Sequence, residues 1–136
     1  MKNDCGTSSL FEPQEHCLGP IEKKIKVPVF SLKHFFDLFP WDKFEYIDYI
    51  KVDAQGSDLD IIKSAQNYLS DKVVYVSLEA EENQYKNCQH NNYYNMCKYM
   101  ETQNFIPINH PNTVDPTFIN KKFLDLKDNI YINQYG

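Results

Sequence analysis

The apolar positions of this chain change period repeatedly, and each change marks an element. Ile25-Lys26-Val27-Pro28-Val29-Phe30 alternates, which predicts a strand over 25–30. Pro28 cannot donate to a ladder, so that strand belongs at an edge or beside a bulge. Ser31 is placed to cap a short helix from Leu32 to Phe39, stopped by Pro40. A β-branched, apolar run then predicts a strand at 47–53, followed by a helix near 57–69 with Leu59, Ile62, Ala65 and Leu69 on one face. Residues 73–79 are apolar on both faces, as a buried parallel strand is. A further helix is expected at 92–103, with Tyr93, Met96, Cys97 and Met100 on its inner stripe and Asn104 as a left-handed terminator. Short strands near 105–109 and 129–134 end the pattern. Residues 1–24 read as irregular, punctuated by Gly6, Pro13, Gly19 and Pro20. Strand–helix alternation at this spacing predicts an α/β fold with right-handed crossovers and a mostly parallel sheet. In it, 47–53 and 73–79 are adjacent parallel strands with Asp53 and Glu79 at the same sheet edge.

Composition narrows the picture. With 136 residues and 42% hydrophobic content, the chain is sized for a single domain with a modest core. Ten Tyr and nine Phe mean that rings supply much of the buried area. The formal charge is −5 and every basic residue is Lys. Without Arg to grip phosphates bidentately, nucleic-acid binding is disfavoured. The first residues lead into no apolar core of signal-peptide length, and no stretch approaches a membrane span. The expectation is a cytoplasmic protein with no membrane partner, whose Cys5, Cys17, Cys88 and Cys97 are reduced thiols.

The chemistry concentrates where the strand at 47–53 turns into a helix. In open α/β sheets, ligands sit beyond the carboxyl ends of strands. Asp53 stands there, either as a site carboxylate or as a cap for the helix that starts after Gly56. Gln55 can hydrogen-bond a ligand without charge. Asp58, in the first helical turn, is explained by the helix dipole. Glu79 ends the next strand and should approach the same crevice. Ser8 and Ser9 offer hydroxyls, as surface-loop serines also do. Cys88, His90 and Cys97 have no structural zinc spacing, and His16, Cys17 and His110 add none, so no metal site is expected. No nucleophile elbow, phosphate loop or basic-aromatic patch is present.

The wording of this corner is also specific. Lys51-Val52-Asp53-Ala54-Gln55-Gly56-Ser57-Asp58-Leu59-Asp60, followed by Lys63-Ser64-Ala65, resembles the K-I-D-[VA]-[EQ]-G-[AS]-[ED] block of the FkbM-type methyltransferases. Further blocks resemble that family in order. Asp4-Cys5-Gly6-Thr7-Ser8-Ser9-Leu10 looks like G-x-S-S-L, and Val27-Pro28-Val29-Phe30-Ser31-Leu32 like V-x-V-x-T-L. Glu79 with Tyr85 resembles the acidic end of the following strand, and Met100 to Phe105 a G-F helix exit with Asn104 replacing Gly. Asp115-Pro116-Thr117-Phe118-Ile119-Asn120 looks like D-x-x-F-x-N. The family's glycine-rich D-x-G-A-x-x-G turn has no counterpart, and neither does its ribose-binding acid. Phe11-Glu12-Pro13 echoes F-E-P without an apolar strand before it.

The chain therefore resembles the carboxyl-terminal portion of a Rossmann-like class I methyltransferase domain. The resemblance implies S-adenosylmethionine as cofactor and O-methylation of a carbohydrate or small hydroxylated acceptor. It implies Asp53 and Glu79 as catalytic residues, Gln55, Ser8 and Ser9 toward substrate, and Asp53 and Gly56 toward cofactor. The closing strands fit the antiparallel hairpin that ends such sheets. Rival readings are a noncatalytic, partner-binding α/β module and an unrelated nucleotide binder. A sheet cut beside 47–53 is expected to form a homodimer or to pair with a separately encoded amino-terminal half.

Overall fold

Ile47–Lys51 (β1) and Val73–Ser77 (β2) pair in parallel, in a computed structural model that describes residues 8–16, 21, 23–109, 111 and 113–124. Such a pairing needs a crossover, and the intervening residues supply Asp58–Lys63 (α2) and Asn67–Lys72 (α3). β2 is buried at every residue, as its unbroken apolar run requires. On its other side it pairs antiparallel with Thr117–Asn120 (β4), which pairs antiparallel with Phe105–Pro107 (β3). The spatial order is β1-β2-β4-β3. The small α/β architecture follows the expectation, but the sheet is mixed rather than mostly parallel.

The helices pack their expected stripes on the sheet. Leu59, Ile62, Ala65 and Leu69 are all buried, with Met96 and Met100 of Tyr93–Thr102 (α4) and Phe36 of Leu32–Asp37 (α1) in the same cluster. Each large side chain buried there contributes roughly 1.5–3 kcal/mol. Two caps match the sequence, Ser31 Oγ accepting from the His34 amide and Asn104 at φ 68°, while Asn92, expected within the helix, caps it by accepting from the Asn95 amide. The Trp41 indole donates to the Phe36 carbonyl at 2.8 Å and stacks on Tyr68, which seals the turn after α1.

Three expectations are corrected. Residues 25–30 are exposed and join no strand; Pro28 removes one donor, and Lys24 and Lys26 favour solvent. The helix at 57–69 is broken, because Gln66 adopts φ 53° and restarts the chain as α3. β3 finds its antiparallel partner in β4, between the Asn109 turn and Phe123; residues 129–134 lie outside the described residues.

Candidate functional site

β1 and β2 run in the same direction, so their carboxyl ends open on one side of the sheet and carry Asp53 and Glu79 together. The corner between them is built by two residues with positive φ, Gln55 at 50° and Gly56 at 97°. This reversal turns the Gln55 amide back over the strand ends. Its Nε2 donates to Asp53 Oδ1 at 3.1 Å and to Glu79 Oε2 at 2.9 Å. Its Oε1 accepts from the buried Tyr85 hydroxyl at 2.9 Å, which fixes which end of the amide faces the carboxylates.

The two carboxyls are electrostatically unlike. Glu79 is pushed up to about 7, first by burial and then by the charge of Asp53 and its hydrogen bond. Asp53 is held below the usual carboxylate range by the Gln55 hydrogen bond, by Glu79, and by Lys51 at 3.5 Å. The pair thus keeps one proton near neutrality, with Glu79 its holder. Such a group can accept or return a proton at neutral pH.

A polar scaffold below keeps the strand ends in place. Asp58 is fully buried, and its two oxygens accept from the Glu79 amide at 3.0 Å and the Ala54 amide at 3.3 Å. Burial raises its pKa. Asn91, also fully buried, accepts from the Leu59 amide at 2.9 Å and donates to the carbonyls of Glu79 and Glu81. Asp58 therefore acts as a staple between two strand ends, in addition to the helix-dipole role expected of it. Asn91 had no signal in the sequence beyond being one of many Asn.

Residues 12–14 are zipped onto 84–86 by the Gln14 amide to the Gln84 carbonyl and the Lys86 amide to the Glu12 carbonyl. That contact carries Ser9 to the site, where its hydroxyl donates to the Gln55 carbonyl at 2.7 Å. Ser8 is exposed and has no hydrogen bond among the described residues. Gly56 faces protein: a Cβ there would stand 3.0 Å from Cys88 Cβ and 3.4 Å from Phe11. Cys88 donates its thiol to the Tyr85 carbonyl, and burial raises its pKa, so it packs as a small apolar residue. His90 pairs with Asp60 at 2.8 Å, and Cys97 lies on α4. Among the described residues no group of three or more His, Cys, Asp or Glu is arranged to hold a metal, and no helix is long and apolar enough to cross a membrane. Cys17 and His110 lie outside the described residues.

The methyltransferase FkbM domain family model matches residues 2–107, well over half of the chain. The match takes in the whole of this corner, from Ser9 through Asp53, Gln55, Asp58, Glu79 and Tyr85 to Asn91. No curated protein and no solved structure matches the chain.

Proposed function

We propose that this chain, which belongs to the methyltransferase FkbM domain family, serves the acceptor side of an S-adenosylmethionine-dependent O-methylation of a carbohydrate or small hydroxylated molecule. The observation that carries the reading is the Asp53–Gln55–Glu79 group at the carboxyl ends of adjacent parallel strands. A hydroxyl that accepts a methyl group must lose its proton. Glu79, raised to about 7, takes it as a carboxylate and releases it to solvent afterwards. Asp53 stays ionised and orients a neighbouring hydroxyl of the acceptor. Gln55 holds both carboxyls in register. Ser9 pins the Gln55 backbone and leaves its own oxygen to the Phe11 amide.

The described residues do not by themselves fit the cofactor. The notch at Gly56 is filled by Cys88 and Phe11, so no backbone lies bare for a ligand to approach. The only other glycines are Gly6, Gly19 and Gly136, which make no glycine-rich turn. Among the described residues few fixed contacts remain for the cofactor, so its binding there is weak. The test is methyl transfer from labelled S-adenosylmethionine at millimolar concentration to a panel of sugars and polyols. Label is expected on an acceptor oxygen, reduced about a hundredfold by Glu79→Gln and by Asp53→Asn. Absence of transfer across the panel would favour the noncatalytic, partner-binding reading instead.

A further inference from the structure

The free edge of β1 carries exposed rings and acidic residues that a second part of this same chain matches. The Val52 amide donates to the Ser77 carbonyl, so strand alternation turns the backbone groups of Tyr49 and Lys51 away from β2. β1 ends the sheet order, and among the described residues no backbone partner lies on its outer side. In the segment leading to β1, Phe35 packs on Phe39 and Phe39 on Phe44 at centroid distances of 5.7 and 5.8 Å, and Tyr46 packs on Phe123 at 5.5 Å. Phe35, Phe44, Tyr46 and Tyr49 nevertheless remain exposed, and Leu38 is 74% exposed. Unpaired strand backbone with exposed rings before and within the strand is a template for association.

Residues 23–30 have the complementary character. Ile25, Val27, Val29 and Phe30 are all exposed, the last two by 71% and 72%, and the segment makes no backbone hydrogen bond among the described residues. Lys23 and Lys26 form no ion pair among the described residues, and neither do the carboxylates of Glu45 and Asp48, although Lys72 donates to the Glu45 carbonyl at 3.1 Å. The segment does not pair with its own β1, and its two ends bond elsewhere. Lys24 is bonded to Glu12 at 2.6 Å, and the Leu32 amide to Ser64 Oγ just past α2 at 2.9 Å.

We propose that a second copy of this chain lays its residues 23–30 along the free edge of β1, each copy giving the segment and receiving the other's. Placed with the Pro28 nitrogen toward solvent, the segment loses no ladder bond to the proline, and its Val27 and Val29 amides face the backbone of Tyr49 and Lys51. Lys23 and Lys26 then meet Glu45 and Asp48, which fixes register and partner. The reciprocal exchange closes on itself, so it ends at a dimer and does not propagate.

Sedimentation velocity and light scattering on the full chain across the micromolar range test this, together with hydrogen exchange at Tyr49 and Lys51. A reversible dimer is expected, with both amides slowing as concentration rises. The double reversal Lys23→Glu with Lys26→Glu should weaken association about tenfold, and adding Glu45→Lys with Asp48→Lys should restore it. All four side chains are exposed, so folding is retained and a circular-dichroism melt verifies it. A monomer at every concentration overturns the proposal. So does a monomer with protected Tyr49 and Lys51 amides, which means the chain covers its own edge, and so does a dimer indifferent to the charge reversals.

Discussion

Glu79 carries the main electrostatic consequence of the site, and its sign can be worked out. Its native pKa is raised from 4.5 to about 7. Between those values the folded chain holds a proton that the unfolded chain has released. The stabilisation from this group is therefore complete below about pH 4.5 and is lost as pH rises through about 7. Glu79→Gln removes that dependence while it keeps a neutral acceptor for Gln55. The variant is expected to match the parent in stability near pH 5 and to exceed it near pH 8, as read by urea unfolding at both values. An equal difference at the two pH values would mean that Glu79 titrates normally. At this scale the sequence exposed the carboxylates, because strand ends beyond apolar runs are recognisable in one dimension. It did not expose Asp58 as the staple beneath them. The staple reaches the Glu79 amide, just past a strand that lies next to it only after the crossover has formed. Asn91 was hidden for the same reason, its partners being the Leu59 amide and the Glu79 carbonyl.

At the scale of elements, the apolar pattern between 57 and 69 gave the buried face correctly and the helix incorrectly. Leu59, Ile62, Ala65 and Leu69 keep helical spacing across the break, so hydrophobic period alone cannot detect it. The break sits at Gln66, at φ 53° and ψ −136°, where a side chain is costly and glycine is not. Gln66 is exposed and makes no side-chain bond among the described residues. Gln66→Gly is therefore expected to stabilise the fold by about 1 kcal/mol, the relief of backbone strain exceeding the extra freedom of the unfolded chain. A thermal melt that shifts down would show that the conformation is unstrained. Residues 25–30 failed in the opposite sense. Their alternation is genuine, but a strand also requires a neighbour, and among the described residues they have none. The same distinction explains β4. Thr117–Asn120 is too short for a periodic signal, yet it is inserted between β2 and β3 because both offer ladder partners, and the Asn120 amide locks it to the Ser70 and Val73 carbonyls.

For the whole molecule, the question is what a four-stranded sheet with this one corner can bind by itself. Family membership implies S-adenosylmethionine, a ligand that combines a charged amino acid end, a sulfonium and a ribose. Holding it tightly takes several fixed polar contacts in a concave site. Here Asp53 and Glu79 already share Gln55, and Asp58 and Asn91 use their polar atoms on the backbone. Gly56, the one described glycine, is closed over by Cys88 and Phe11. The volume of about 270 Å³ lined by Lys33, Asp37, Gln66, Asn67, Tyr68 and Asp71 is near the small end of ligand sites. It also lies at the start of α3, away from the carboxyl ends of the strands and from the Asp53–Glu79 corner. Titration calorimetry of the purified chain with S-adenosylmethionine is therefore expected to give no binding in the micromolar range. The acceptor residues should still be in place, which carboxyl NMR reads independently as a Glu79 midpoint near 7. Micromolar binding with an unchanged Glu79 titration would mean that the cofactor sits elsewhere on the chain. Micromolar binding that shifts the Glu79 titration would place it at the Asp53–Glu79 corner, and the division of labour argued for these residues would be reversed.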